Sequence, residues 1–169
     1  QVVVREPLWA ASPLHDLLCE LGEMDSLIVH ECCEDAEALA REHGCGLHLS
    51  SRASVAAVRQ RFDGLLGVST HDRESLLRAE DSGADYALLS PVYTPYSKPK
   101  DTRRPLGVGR AAEASKGISI PVFFLGGIDE VRARECRVSG AYGIAAIGAF
   151  FGEGVKPRDV ATSLIELLG

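Results

Sequence analysis

The sequence predicts an α/β fold and, within that class, a (β/α)8 barrel. Short β-rich apolar runs recur about every twenty residues along the 169-residue chain. Helical patterns fill the intervals between them. The last two apolar runs end in glycine, the place where barrels commonly hold a phosphate. Strands alternating with helices give a parallel sheet with helices outside it.

The first strand is read over Val2–Arg5, from three consecutive valines whose β-branched side chains favour extended backbone. A helix over Pro13–Leu21 follows, with Leu14, Leu17, Leu18 and Leu21 on one face. Next come a strand at Leu27–His30 and a helix at Glu34–His43. Glu34, Asp35 and Glu37 stand at the start of that helix, where acids suit its dipole. Strands at Gly46–Leu49 and Leu65–Ser69 alternate with helices at Ser54–Phe62 and Asp72–Ser82. The strand at Tyr86–Ser90 leads into one longer gap before the helix at Val108–Lys116. Pro121–Leu125, Asp129–Ser139, Gly143–Ile147 and Arg158–Leu168 complete the alternation. Val122–Leu125 reads as a strand buried on both faces. Gly22, Gly44, Gly83 and Gly140 stand just past helices as C-terminal caps. Ser82-Gly83-Ala84 and Ser139-Gly140-Ala141 repeat one tripeptide before two different strands, as a duplicated helix–strand unit does.

Seven strand–helix units are counted, and a closed barrel needs eight. A further N-terminal strand ahead of Gln1 is therefore expected to be absent from this chain; otherwise the barrel is incomplete. An open doubly wound sheet is the competing fold. Glycine turns at the last two strands, rather than at the first βα turn, favour the barrel. One domain over residues 1–169 is expected.

Composition bounds the function. The chain is 46% hydrophobic and 25% charged, ordinary for a globular core. A net charge of -6 argues against a nucleic-acid footprint, which would be basic. No apolar run approaches the ~20 residues of a membrane span, so no membrane partner is expected. Cys19, Cys32, Cys33, Cys45 and Cys136 are odd in number and lack metal-type spacing, which fits reduced thiols in a cytoplasmic protein. No Ser-His-Asp arrangement, P-loop or zinc motif is present.

The chemistry is read first from Ile120-Pro-Val-Phe-Phe-Leu-Gly-Gly-Ile128 and Ala145-Ala-Ile-Gly-Ala-Phe150. Two adjacent parallel strands ending in such turns gather backbone N–H groups around a small space, and at helix N-termini such a nest suits a phosphate. The plainer reading is that the glycines only make tight turns.

From Leu65 onward the residues carry a resemblance. Gly67-Val-Ser-Thr-His71, Gly83-Ala-Asp-Tyr86, Ser90-Pro-Val-Tyr93, Ser97-Lys98, Leu106-Gly107, Ile120-Pro-Val122, Gly126-Gly-Ile128 and Gly140–Ile147 resemble the thiamine phosphate synthase family, including its tautomerase-like relatives of the TenI type. Weaker echoes are Arg5-Glu6 and Leu47-His-Leu49. The family condenses a thiazole phosphate with a pyrimidine pyrophosphate. The relatives aromatise a carboxythiazole phosphate by moving a proton. The resemblance implies a phosphorylated thiazole as ligand, with Gly126, Gly127, Gly148 and Ala149 binding its phosphate through backbone N–H groups. It places Lys98 near the transferred groups, with Ser97 before it. Ser69 and Thr70 stand where hydroxyls bind a phosphate or cap the next helix.

The pyrophosphate half of the pattern is eroded. Of Gln-x-Arg-x-Lys after the second strand only Arg5 survives. His30-Glu31 stands where the family has Asn-Asp, and Ser50-Ser51-Arg52-Ala53 where it has Gly-Gln and then Asp. Magnesium on a pyrophosphate needs one or two carboxylates. Glu31 is the one replacement, so Mg2+ is expected only if the chain is a synthase, and otherwise no cofactor. The TenI-type histidine falls at Pro91, which cannot transfer a proton. His71 and His30 are the acid/base candidates, His71 first. His48 lies inside a strand and reads as structural, while His15 and His43 read as surface residues. Tyr93 and Tyr96 stack on a thiazole or pack ordinarily. Arg103-Arg104 beside Lys100 form a basic patch in the long loop, a lid over an anion or a free segment. The first function read is thiazole tautomerisation. A divergent magnesium-dependent synthase using Glu31, Arg5, Arg52 and Lys98 is the second, and an inactive thiazole-phosphate-binding module the third. A homo-oligomer is compatible with all three.

Overall fold

The computed structural model describes residues 1–5, 8–22, 26–95, 103–151 and 154–168. Its elements are β1 (Val2–Val4), α1 (Ala11–Leu21), β2 (Leu27–His30), α2 (Ala36–Glu42), β3 (Gly46–Leu49), α3 (Val55–Arg59), β4 (Leu66–Thr70), α4 (Arg73–Asp81), β5 (Tyr86–Leu89), α5 (Val108–Ser115), β6 (Val122–Leu125), α6 (Glu130–Val138), β7 (Gly143–Ala145) and α7 (Pro157–Leu168). A 3-10 turn at Gly148–Phe150 precedes α7. The fourteen elements are those the hydrophobic pattern predicts. The strands form one sheet in chain order, and among the described residues it has seven strands rather than eight. None of the described helices is long and apolar enough to cross a membrane.

The chain divides into two compact units. The first comprises Gln1–Ser69 with Ala79–Tyr86, the second Thr70–Arg78 with Ala87–Gly169.

In the first unit β1, β2 and β3 pair in parallel, with Val2 opposite Leu27 and Ile28 opposite Gly46. β3 pairs β4 with His48 opposite Gly67. Leu14 and Leu18 of α1 are fully buried, as their spacing on one helical face requires. Ile28, Leu39, Leu47, Leu49, Phe62 and Leu66 fill the same interior. Gly67 has to be glycine, because a Cβ there would lie 1.9 Å from the Tyr86 ring. Arg59 ties the start of β4 to the segment before β5. It donates to the carbonyls of Gly83, Phe62 and Gly64 and to Asp85, whose Oδ2 in turn accepts the Leu66 N–H at 2.7 Å.

One helix starts later than its sequence suggests. Glu34 and Asp35 lie outside α2. Glu34 Oε2 instead accepts the Ala11 N–H at 2.8 Å, serving the first turn of α1. Asp35 adopts the left-handed region at φ 51 and makes no side-chain cap. Only Glu37 remains as an acid in the first turn of α2, and it pairs with Arg41 and Arg61.

In the second unit β5 pairs β6 with Ala87 opposite Val122, and β6 pairs β7 with Phe123 opposite Gly143. Leu76, Leu89, Val92, Ala111, Phe124, Ile128 and Cys136 form its core. The expectation that Val122–Leu125 is buried on both faces is corrected. Val122 and Phe124 are buried, whereas Phe123 and Leu125 are only partly so, an alternating pattern. Phe123 turns to the Tyr142 ring, edge to face at 5.4 Å.

Candidate functional site

Each unit gathers polar residues at the carboxyl ends of its strands. In the first unit they form a connected network. His48 on β3 is buried. Its Nδ1 lies 2.9 Å from the Tyr86 hydroxyl and its Nε2 3.0 Å from Ser69 Oγ. Burial, and then the neighbouring His30, push the His48 pKa down to about 3. A neutral imidazole has one donor and one acceptor nitrogen, which the two hydroxyls satisfy. Burial raises the Tyr86 phenol above its usual range, with the Asp85 charge adding to the effect. The structural reading of His48 therefore holds, and Ser69 belongs to its network.

His30 closes β2. Its ring lies 5.4 Å from that of His48, and its Nδ1 accepts the Cys32 N–H at 3.0 Å. Glu31 follows. Its N–H donates to the His48 carbonyl, and its Oε1 accepts the Ser50 N–H at 2.9 Å. The carboxylate thus holds the exit of β3 to the exit of β2. Arg5 is exposed after β1, and its charge opposes the rise that burial and Cys33 impose on the Cys32 thiol. Arg52 is exposed, with its N–H 3.4 Å from Ser50 Oγ.

In the second unit Thr70 ends β4, and its buried hydroxyl donates to the Leu88 carbonyl at 3.2 Å. It does not cap α4. Asp72 does, its Oδ1 accepting the Ser75 N–H at 2.7 Å, and the bonds from Ser75 hold its carboxyl below the usual range. His71 accordingly stands ahead of the helix cap rather than in the first helical turn. Its Nδ1 is 2.7 Å from the Ser90 carbonyl, which can only accept, so Nδ1 carries the proton. Arg103 lies across the ring with NH1 3.0 Å from Nε2. Arg103, one of the three residues of the basic patch read from sequence, is thereby a partner of the leading acid/base candidate, an arrangement that sequence spacing does not reveal.

Gly126 and Gly127 leave β6 at φ 108 and φ 61, a region that favours glycine. The Tyr93 N–H donates to the Gly126 carbonyl, and the Val92 N–H to that of Leu125. A Cβ on Gly126 would meet Pro91 at 3.0 Å, and one on Gly127 would meet the Thr94 carbonyl at 2.3 Å. The double glycine therefore seats the segment after β5 against the turn after β6. Beyond β7, the Phe150 and Phe151 N–H groups close the 3-10 turn onto Ile147 and Gly148. Among the described residues, the amides of Gly127, Gly148 and Ala149 have no hydrogen-bond acceptor. The N-terminus of α6 is already served by a carboxylate, since Asp129 accepts the Arg132 N–H at 3.0 Å.

Tyr93 resolves to ordinary packing. Its hydroxyl donates to Glu135 at 2.6 Å, and the Arg132 guanidinium lies 4.9 Å from its ring centre while donating to the Gly127 carbonyl. Ser97, Lys98, Tyr96 and Lys100 lie outside the described residues.

A seven-stranded parallel sheet in chain order, with helices between its strands, defines an α/β protein of the TIM-barrel-like class. The comparisons narrow the class. A family model described as thiamine monophosphate synthase matches residues 26–150. A thiamine-phosphate synthase of Chloroflexus aurantiacus is 32% identical over 147 residues, 86% of this chain and 65% of that protein. A thiamine-phosphate synthase of Bacillus licheniformis is 36% identical over 136 residues, 79% of this chain and 60% of that protein. A solved structure of thiamine phosphate pyrophosphorylase from Pyrococcus furiosus shares the fold. Its TM-score is 0.63 at 20% identity, with 99% of this chain and 95% of that chain covered. This chain belongs to the thiamine monophosphate synthase family. It spans under two thirds of the length of both named relatives.

Proposed function

We propose that this chain acts as a thiamine-phosphate synthase, joining a thiazole phosphate to a pyrimidine pyrophosphate with loss of pyrophosphate, and that its seven β/α repeats are seven of the eight of a (β/α)8 barrel. The observation that carries the reading is the pair of glycine turns after β6 and β7, whose amides at Gly127, Gly148 and Ala149 have no acceptor among the described residues. Backbone N–H groups in such turns suit a phosphate without a side-chain charge. The named relatives favour this transferase over the proton-transfer reading.

Magnesium is tested by the donors present. Mg2+ bound on a pyrophosphate takes one or two protein carboxylates, its remaining positions going to phosphate oxygens and water. Glu31 offers one. Its Oε1 is tied to the Ser50 N–H, and among the described residues Oε2 has no partner. The donor set fits a singly held ion, which when bound would neutralise charge on the departing pyrophosphate. Arg5 and Arg52, exposed after β1 and β3, supply further positive charge for the same anion. Lys98 takes part as the resemblance implies.

The test is direct. The chain is incubated with thiazole phosphate and pyrimidine pyrophosphate, with and without Mg2+, and thiamine phosphate and pyrophosphate are measured. Equal amounts of both products, formed faster with Mg2+, are expected. Solvent-proton exchange into carboxythiazole phosphate with no condensation would reverse the choice in favour of a tautomerase. Binding of thiazole phosphate with neither reaction would leave a binding module.

A further inference from the structure

We infer that His15, Cys19 and His43 form a transition-metal site of the zinc class in the first unit, made of residues read for neither the thiazole nor the pyrophosphate group. His15 and Cys19 stand four residues apart on α1, hence on one helix face. His43 is the residue that ends α2, and its ring meets that of His15 edge to face at 4.9 Å. One ligand atom from each of the three lies within 4.8 Å of the others.

Three details make this a ligand set rather than a chance contact. First, His43 Nε2 is buried and has no hydrogen-bond partner among the described residues, a costly state for an imidazole nitrogen unless something else engages it. Second, Cys19 Sγ is 3.7 Å from His15 Nδ1. A tetrahedral zinc ion, with bonds of about 2.3 Å to sulfur and 2.0 Å to nitrogen, holds those two atoms about 3.5 Å apart. Third, the other His15 nitrogen, Nε2, is 3.4 Å from Glu42 Oε1. A metal-bound imidazole characteristically gives its second N–H to a carboxylate, which fixes the tautomer and raises the basicity of the ligand nitrogen. The competing neighbour is Asp16, with Oδ1 3.8 Å from His15 Nδ1. Its charge lies beside the cation and favours it.

The donors are two imidazoles and a thiolate, which select zinc or a similar ion over magnesium or calcium. Three protein ligands leave a fourth position to water or an external ligand. Cys19 is exposed and the His15 side chain is 40% exposed, so the ion reaches the site from solvent on the α1 side. Binding staples α1 to the end of α2. The sequence contains no zinc motif because the third ligand comes from a different helix, and the reading of His15 and His43 as surface residues is corrected for His43 by its buried nitrogen.

The chain, stripped with a chelator, is titrated with Co2+ while the thiolate-to-cobalt charge-transfer absorbance is followed, and then with Zn2+ in competition. One equivalent is expected, with a higher melting temperature when loaded. Cys19→Ser should abolish the charge-transfer band while leaving the circular dichroism of the chelated chain unchanged. Glu42→Gln should weaken binding about ten-fold, as loss of such an outer carboxylate does. His43→Ala should weaken it more. Because His43 is partly interior, Cys19→Ser is the deciding variant. The inference is overturned if the unaltered chain shows no cobalt band, or if the band survives Cys19→Ser and is lost instead in Cys32→Ser/Cys33→Ser.

Discussion

Alanine at Gly127 should cost the second unit more than alanine at Gly140, although both glycines sit at positive φ. Gly140 has φ 90 with nothing within 4 Å of an added Cβ. Its substitution therefore carries only the left-handed backbone penalty of about 1–2 kcal/mol. Gly127 has φ 61, and its Cβ would lie 2.3 Å from the Thr94 carbonyl oxygen and 3.0 Å from its carbon. That contact is backbone to backbone and cannot be relieved by rotating a side chain. Overpacking of this kind adds about 1–3 kcal/mol to the same φ penalty. Gly127→Ala should thus lose about 2–5 kcal/mol and Gly140→Ala about 1–2 kcal/mol. Urea unfolding of the two variants beside the parent chain measures the difference, with the slope checked for constancy. Equal midpoints for the two variants would refute the argument that Gly127 seats the segment after β5. The result also bears on ligand binding. Gly127→Asp is the obvious charged variant for blocking a phosphate at this turn. The Thr94 contact shows that the new side chain strikes the chain itself, so a loss of affinity in that variant reports on the turn and not on charge.

The buried His48 makes stability depend on pH with a definite sign. Its folded pKa of about 3 lies below the unfolded 6.5, so only the unfolded chain takes up this proton between those values. Stability should fall as pH drops below 6.5, by up to about 1.4 kcal/mol per pH unit from this group. Urea titrations at several pH values should show a shallower dependence in His48→Gln, and an identical slope would remove His48 from the account. Glu31→Gln keeps an oxygen for the Ser50 N–H but loses the charge, so magnesium-dependent turnover should drop about ten-fold with little change in unfolding midpoint. Turnover at the parental rate would show that Glu31 holds no ion. Asp129→Ala removes the cap of α6 and should cost about 1 kcal/mol by the same urea assay. An unchanged midpoint would show that the Arg132 N–H does not depend on that cap.

Alternation of strand and helix was legible because each buried element repeats its apolar residues with its own period. The Leu14, Leu17, Leu18 and Leu21 stripe sufficed to place α1, and its inner members are fully buried. The sites were less legible, because their partners come from distant parts of the chain. Thr70 carries the signature of a helix cap, yet its hydroxyl serves the sheet through Leu88 while Asp72 does the capping. Glu34 looks like the acid of its own helix and instead serves α1. His71 shows nothing in sequence of Arg103. In each case a local rule was outbid by a tertiary partner that spacing along the chain cannot encode.

The two units also distribute their interactions differently. At the strand exits of the first unit, side chains carry the interactions. Glu31 holds Ser50, Ser69 meets His48, and His30 receives the Cys32 N–H. After β6 and β7 of the second unit, turn amides at Gly127, Gly148 and Ala149 have no acceptor among the described residues, and a Cβ on Gly126 or Gly127 would meet Pro91, Tyr93 or Thr94. On the proposed reading, a phosphate held by those amides depends on the turn and not on side-chain charge. Thiazole-phosphate binding should therefore persist in variants that abolish condensation at Arg5, Glu31 or Arg52. Calorimetric titration of such variants with thiazole phosphate tests this, and a parallel loss of affinity and turnover would show that the two halves are not separable.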